Sequence, residues 1–491
     1  MTLTRTQRSA SCLGRTAAAL ALALSLLTAG LDGTAGAAAQ AAVGCGAVVT
    51  ENTKLTGDVG PCPGMGIIIA ASNVTVDLNG HTVTGNPRAR GSGLDQGGVV
   101  LRRVRRVNLT NGTVRGFDAG VVIDGGGDNT VTRIKAIDNV NYRVVTGRNA
   151  TLPDVNPDAA APCDLGDGIA VVGSVGNALS NNTVAGNGPF SGIALVGRSS
   201  FNVVSNNLVR DNDLLNRPPG GDKTMCGGQP GELGPTGRLV QGVGVRIEGP
   251  GAQHNLVSNN QIPRSALAGV MVTAFRNAFP QTNNGFNKIL NNTITQTGLR
   301  TRPVQNFFDE YHSSGIFLHN AGTTEVTLSY GNTIAGNTSS DNVGGGIEVV
   351  GPFPGSGEVG VGGNTIVGNV VNNNVLTGII LAEGTVDTTV SGNKAHGNGR
   401  DKALIAQLNA QQPFVVWVGV DGADNNPGCA SNVWSANQFG TVNQKCVKAN
   451  GGTGKVIGPG AAGQTARLSA LSGSLRGDLL LQRGGPQGVG G

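Results

Sequence analysis

Hydrophobic and polar positions along this chain follow one recurring phrase. A glycine leads an alternating apolar run, and shortly afterwards an asparagine leads a β-branched run. It reads Gly168-Ile169-Ala170-Val171-Val172, then Asn181-Asn182-Thr183-Val184-Ala185-Gly186-Asn187. It returns as Gly192-Ile193-Ala194-Leu195-Val196 with Asn206-Asn207-Leu208-Val209-Arg210-Asp211-Asn212, and near the far end as Gly378-Ile379-Ile380-Leu381. Used as a ruler, the leading glycine marks Gly120, Gly168, Gly192, Gly244, Gly269, Gly315, Gly346 and Gly378. The shortest spacings are 24 and 25 residues; 31 and 32 follow Gly315 and Gly346, and the others are 48, 52 and 46. A period in this range signals a stacked array.

The apolar runs are β-branched and too short for helices. Gly and Asn punctuate them, and both tolerate the left-handed backbone of tight turns. No long amphipathic helical pattern appears, which excludes alternating strand–helix units. The pattern predicts an all-β chain folded as a right-handed parallel β-helix, a solenoid whose coils bury their inward faces only by stacking. The recurring asparagines are expected to stack as a ladder at one corner, satisfying the backbone groups of the turns.

Composition sets the boundaries. Arg5, Arg8 and Arg15 precede an apolar run from Ala17 to Leu27 and a small-residue stretch through Ala42, the layout of a secretory signal peptide over 1–42. The β-helix domain is expected over 43–446, and the Gly-rich tail 447–491 has no strand rhythm and is expected to be disordered. No later run is long and apolar enough to span a bilayer. Cys12 leaves with the leader, so Cys45, Cys62, Cys163, Cys226, Cys429 and Cys446 remain. An even number in a secreted chain reads as disulfides, with the pairing open. The formal charge of +5 resides in the leader and the tail, and aromatics make up 3% of the chain, so nucleic acid is not the expected partner.

The stretch Ile67-Ile68-Ile69-Ala70-Ala71-Ser72-Asn73-Val74-Thr75-Val76-Asp77-Leu78-Asn79-Gly80-His81-Thr82-Val83 and the run Val107–Phe117 resemble the pectate-lyase-like superfamily, within the secreted parallel β-helix repeat proteins of bacteria. The resemblance covers roughly residues 45 to 446. It implies the fold and leaves the chemistry open, because one scaffold hosts lyases, hydrolases, epimerases and non-catalytic binders. Open coil ends expose strand edges and need covers. Cys45 with Cys62 and Cys429 with Cys446 bracket the two end segments and are expected to staple them.

Function is sought where the rhythm stretches. Inserts at 86–97, 140–166, 213–241 and 297–313 each fall between an asparagine-led run and the next glycine-led strand, so stacking places them on one flank, where a groove forms. Cys163 and Cys226 lie in two of these inserts and are candidates to tie them together. Arg143, Asp164 and Asp167 belong to the first large insert. The sharpest cluster is Asn306-Phe307-Phe308-Asp309-Glu310-Tyr311-His312, beside Arg300 and Arg302.

This set suits polysaccharide chemistry. Lysis or C5-epimerisation of a uronate needs a cation on the carboxylate and groups to move the C5 proton. Arg302 and Arg300 suit the carboxylate, His312 and Tyr311 the proton work, and Asp309 the orientation of the imidazole; Asp164, Asp167 and Arg143 are candidate substrate contacts. The string is similar to the aromatic-Asp-Pro-His motif of alginate epimerases, lacking the proline and placing the histidine one residue further on. Hydrolysis needs two opposed carboxylates, and Asp164 with Asp167 before Gly168 resembles polygalacturonases, without that family's Gly-His-Gly segment. No metal-ligand spacing is evident; Ca²⁺ on the loop aspartates is what the likeness to uronate lyases implies. The expectation is a secreted, monomeric protein that acts on or binds extracellular polysaccharide, as a uronate lyase or C5-epimerase, or as a non-catalytic carbohydrate-binding or cell-surface structural β-helix. Copper delivery, as in periplasmic β-helix proteins, is the weakest reading, since Met numbers only 4.

Overall fold

The computed structural model describes residues 39–41, 43–86, 97–140, 166–188, 190–212, 242–249, 251–274, 284–298, 304–305, 311–320, 329–350, 362–411 and 416–457. One coil shows how the phrase folds. Asp167–Val172 forms a long strand, the chain turns through Gly173 and Gly176, and two short strands follow at Ala178–Ser180 and Thr183–Ala185. Each pairs in parallel with its counterpart one coil on: Ser191–Val196, Val203–Ser205 and Leu208–Arg210. Repetition builds three parallel sheets, one of long strands and two of short ones, around a single apolar column. Ile169, Val171, Leu179 and Val184 point inward from one coil, and Ile193, Leu195, Val204 and Val209 from the next, all with 0% exposure. Each such side chain stabilises the fold by about 1.5–3 kcal/mol on burial, but only if a neighbouring coil covers it.

The leading glycine has a steric cause. A Cβ on Gly168 would lie 2.7 Å from Asn187 Nδ2 and 2.8 Å from the Gly192 carbonyl oxygen; one on Gly192 would meet Asn212 Nδ2 at 2.7 Å. Gly244, Gly269, Gly315 and Gly346 meet the next leading glycine's carbonyl in the same way, at 2.5 to 3.0 Å. The position admits no side chain because backbone and asparagine amide pass too close.

Asparagine ladders occupy three corners, not the single corner expected from the sequence. One runs through Asn129, Asn177, Asn202, Asn255, Asn287, Asn332 and Asn364. A second links Asn182, Asn207, Asn260, Asn292, Asn337, Asn369, Asn393 and Asn437. At the third corner Asn139, Asn187 and Asn212 form one run, and Asn342, Asn374, Asn398 and Asp421 another. A coil has three turns, and each leaves buried backbone groups that need partners.

The ends are stapled. Cys45–Cys62 and Cys429–Cys446 are disulfides, each across 17 residues; Cys163 and Cys226 lie outside the described residues. The fold extends past the 446 boundary expected from the sequence: Val447 is buried in the column, and Thr453–Val456 pairs with Gln438–Val442. Ala39–Ala41, inside the stretch expected to be leader, pairs with Thr53–Leu55.

Two further features depart from expectation. Residues 402–411 form a helix where the pattern promised none. Asp401 Oδ1 accepts the Leu404 N–H at 2.9 Å as its N-cap, and Ile405 and Leu408 pack with Trp417 on Phe317, Met271 and Ile380 of the long-strand sheet. Extra chain is also not confined to one flank. Residues 87–96, 141–165 and 213–241 lead into long strands as expected, but 275–283, 321–328 and 351–361 follow long strands at their other end. Among the described residues, no helix is long and apolar enough to cross a membrane.

Candidate functional site

The long-strand sheet has an outer face, and in its middle coils that face is as buried as the inner one: Asp167–Val172, Ser191–Val196, Val243–Glu248 and Gly345–Val350 are buried at every position. Cross-strand register aligns the outward positions. One row runs Val122, Ala170, Ala194, Arg246, Met271, Phe317, Glu348 and Ile380. A second runs Asp124, Val172, Val196, Glu248, Thr273, His319 and Val350. A third holds Asp167, Ser191, Val243, Ala268 and Ser314. Ionisable groups therefore interrupt an apolar surface at a few chosen coils.

The first interruption centres on Arg246. Its Nη1 donates to Glu248 Oε2 at 2.5 Å, its Nη2 reaches Asp167 Oδ2 at 3.4 Å, and its Nε donates to Ser191 Oγ at 3.2 Å. The Ser191 hydroxyl donates to Asp167 Oδ1, and the guanidinium lies 4.8 Å from the centre of the Phe190 ring. Side-chain exposures are 5% for Arg246, 1% for Asp167 and 6% for Glu248. Burial pushes the Asp167 carboxyl above the usual range, against the opposing pull of Arg246 and Ser191. Glu248 is likewise raised, first by burial and then by the Asp167 charge, with Arg246 acting the other way. One cation faces two anions in a dry setting, so the trio keeps a proton at pH values where ordinary carboxyls have lost theirs.

The second interruption lies further along the axis. His312 Nδ1 is 2.8 Å from Glu348 Oε1, and Ser314 Oγ donates to Glu348 Oε2; His312 and Glu348 have 0% exposure. The imidazole stacks on Phe317 at 4.4 Å and meets the Trp417 edge at 6.5 Å. Between the two clusters, Thr273 Oγ1 and His319 Nδ1 are 3.3 Å apart.

Of the residues singled out from the sequence, Asp167 belongs to the first cluster and His312 to the second. Tyr311 forms strand backbone, pairing with Gln305 beside His312 and Val304, an antiparallel pairing within the expected 297–313 insert. Arg143, Asp164, Arg300, Arg302 and Asp309 lie outside the described residues. The imidazole's described carboxylate partner is Glu348, from another coil. Sequence reasoning missed Ser191, Arg246, Glu248, Ser314 and Glu348. Their signal was available: Gly244-Val245-Arg246-Ile247-Glu248 and Gly346-Ile347-Glu348 carry charge where other copies of the phrase have Ala or Val. No three His, Cys, Asp or Glu side chains among the described residues converge as a metal site.

The family described as "Right handed beta helix region" matches residues 35–217, and the chain is a right-handed parallel β-helix protein. No curated protein matches the sequence. Among solved structures, the Dettilon tailspike protein gp208 is 15% identical with a TM-score of 0.41, over 84% of this chain and 60% of that one. The tailspike of E. coli bacteriophage HK620, solved with a pentasaccharide, is 11% identical with a TM-score of 0.48, over 85% and 68%. PfbA, a surface adhesin of Streptococcus pneumoniae, is 11% identical with a TM-score of 0.40, over 76% of each chain. The chain thus spans about 60% of the length of the Dettilon tailspike chain.

Proposed function

We propose that this is a secreted protein that acts on an extracellular polysaccharide, cleaving glycosidic bonds with the Asp167 and Glu248 carboxyls carried on the outer face of the long-strand sheet. One observation carries the reading: two buried carboxyls share a single guanidinium, and burial raises both. Glycoside cleavage needs a carboxyl that still holds its proton, to protonate the leaving oxygen, and an ionised partner nearby. A scaffold has no use for charge here, since the same rows carry Ala170, Ala194, Val172 and Val196 in adjacent coils. Arg246 is already engaged by both carboxyls, so its role is to hold the ionised form of one while the other stays protonated, not to grip a substrate carboxylate.

The His312–Glu348 contact favours a second reading, C5 proton chemistry on a uronate. With Nδ1 facing Glu348, Nε2 is the ring nitrogen turned away from that carboxyl. His312 would work there with Tyr311, Asp309 and Arg302, and Arg300, Asp164 and Arg143 would contact substrate.

The products separate these readings. Full-length protein is incubated with neutral and uronate polymers. New reducing ends without ultraviolet absorbance mean hydrolysis, absorbing unsaturated ends mean lysis, and solvent deuterium at C5 means epimerisation. On the first reading Asp167→Asn and Glu248→Gln each lose at least about 100-fold in rate, the scale of a positioned proton donor or acceptor, and His312→Ala loses little. Unchanged rates in both carboxyl variants would sink it. Polymers that bind but return intact would place the chain among non-catalytic binders.

A further inference from the structure

At the corner where each long strand turns towards the next sheet, one position per coil takes the left-handed backbone. These are Arg106, Asp128, Gly176, Phe201, His254, Phe286 and Gly331, with φ between 55° and 74°. They form one column, each donating its N–H one coil onward: Asp128 to Val175, Gly176 to Ser200, Phe201 to Gln253, His254 to Gly285 and Phe286 to Tyr330. Bulky side chains are unusual in this conformation, yet three consecutive coils carry rings. Phe201 stacks on His254 at 4.9 Å and 7°, His254 on Phe286 at 5.2 Å and 9°, and Tyr330 closes the stack edge-on at 6.3 Å.

The two ends of this ladder differ. At one, the Tyr330 ring covers Gly363, where a Cβ would sit 2.3 Å from it. At the other, the ladder stops at Gly176, which has no side chain to lay on the Phe201 ring, and Phe201 is 58% exposed. One coil beyond stands the Asp128 carboxylate, paired with Arg105 at 2.8 Å. Val175, 38% exposed, borders the gap. Coils repeat about every 4.8 Å, so Phe201 and the Asp128–Arg105 pair flank a slot at the level that Gly176 leaves without a side chain, with Asp128 Oδ1 leaning to 2.7 Å from where that Cβ would sit.

We propose that this slot binds one pyranose ring of a neutral glycan. The occupant must present an apolar face to Phe201 and polar groups to a wall that offers both acceptors and donors. A pyranose has C–H faces for the ring and vicinal hydroxyls for the Asp128 carboxylate and the Arg105 guanidinium. A purely aromatic ring would leave that charged wall without hydrogen bonds, whereas the hydroxyls of a neutral sugar can both donate to the Asp128 carboxylate and accept from the Arg105 guanidinium. The slot shares with the reading above the assumption that the ligand is a glycan, but not that it is cleaved, since Asp167 and Glu248 lie on the sheet face and not at this corner.

The test uses the full-length chain and neutral hexasaccharides of glucose, xylose, mannose and N-acetylglucosamine, with a hexauronate as the charged arm. Titration calorimetry gives affinity, and the Val175 methyl resonances report the location. A neutral hexasaccharide is expected to shift the Val175 methyls. Phe201→Ala and Gly176→Phe should each weaken binding at least tenfold. Gly176→Phe should fold, because Asp128, Phe201 and His254 hold side chains in this same conformation and its Cβ meets only the movable Asp128 Oδ1, at 2.7 Å. Unmoved Val175 methyls with every neutral sugar, or equal affinities in both slot variants, would overturn the proposal. Loss of cleavage with the Val175 shift retained removes only the hydrolytic reading.

Discussion

His312 Nδ1 lies 2.8 Å from Glu348 Oε1, with both side chains fully buried and the imidazole set against Phe317 and Trp417. The partners are 36 residues apart and meet only because two coils stack. Glu348→Ala removes the acceptor that the imidazole and the Ser314 hydroxyl share. Breaking a buried pair from one side costs about 3–5 kcal/mol, so calorimetry should show a clearly lower thermal midpoint, with Glu348→Gln in between. A midpoint equal to wild type would show that the pair contributes nothing to the fold.

The Asp167–Arg246–Glu248 cluster makes stability depend on pH in a defined direction. Both carboxyls are raised in the folded chain, so the folded state holds protons that the unfolded state releases. Their contribution is fully present below the ordinary carboxyl range, near about pH 4, and is lost as pH rises through the raised values. Glu248→Gln should flatten this upward loss in a series of melting curves. Parallel curves for the two proteins would refute the assignment.

Asn207 is the second member of its ladder and links Asn182 to Asn260. Its Oδ1 accepts the Asn182 backbone N–H at 2.9 Å and the Asn182 side-chain amide at 3.1 Å, while its own amide donates to the Leu179 carbonyl at 2.9 Å. Asn207→Ala strands these groups away from water, at about 1–3 kcal/mol each. Urea unfolding should report a loss of several kcal/mol by that scale, and hydrogen exchange should accelerate at Asn182 first. Unchanged exchange there would mean that water replaces the amide.

The two disulfides close loops of 17 residues at opposite ends of the column. Chain entropy assigns about 3 kcal/mol to a loop of this size. In reductant, limited proteolysis should begin within the end segments, near residues 45–62 and 429–446, before any central coil is cut. A first cut among the central coils would contradict this.

The coil itself was legible in the sequence because its steric demand is local. Gly168, Gly192 and Gly244 recur since no side chain fits where the backbone of the next coil passes so close, and Asn182 and Asn207 recur since each turn strands polar backbone groups. The insertions before Asp167 and Val243 were legible as stretches in that rhythm. Those after Ala274, Asn320 and Val350 were not, because short additions only lengthen an interval without saying which turn holds them. The 402–411 helix escaped notice because its apolar residues, Leu404, Ile405 and Leu408, occupy a single short stretch.

The candidate site divides the two sources of information most sharply. Alternation along Gly244–Glu248 places Arg246 and Glu248 on the outward face, where charge normally means solvent. Sequence alone thus determines the coil, its period and the face each residue takes. Whether an outward residue meets water, and which partner it meets, is a property of stacking. Asp167 is 79 residues from Arg246, and parallel register across two intervening strand pairings brings them together in a buried setting. Only there does burial raise the carboxyls, because desolvation depends on everything packed around a group and not on its neighbours in the chain.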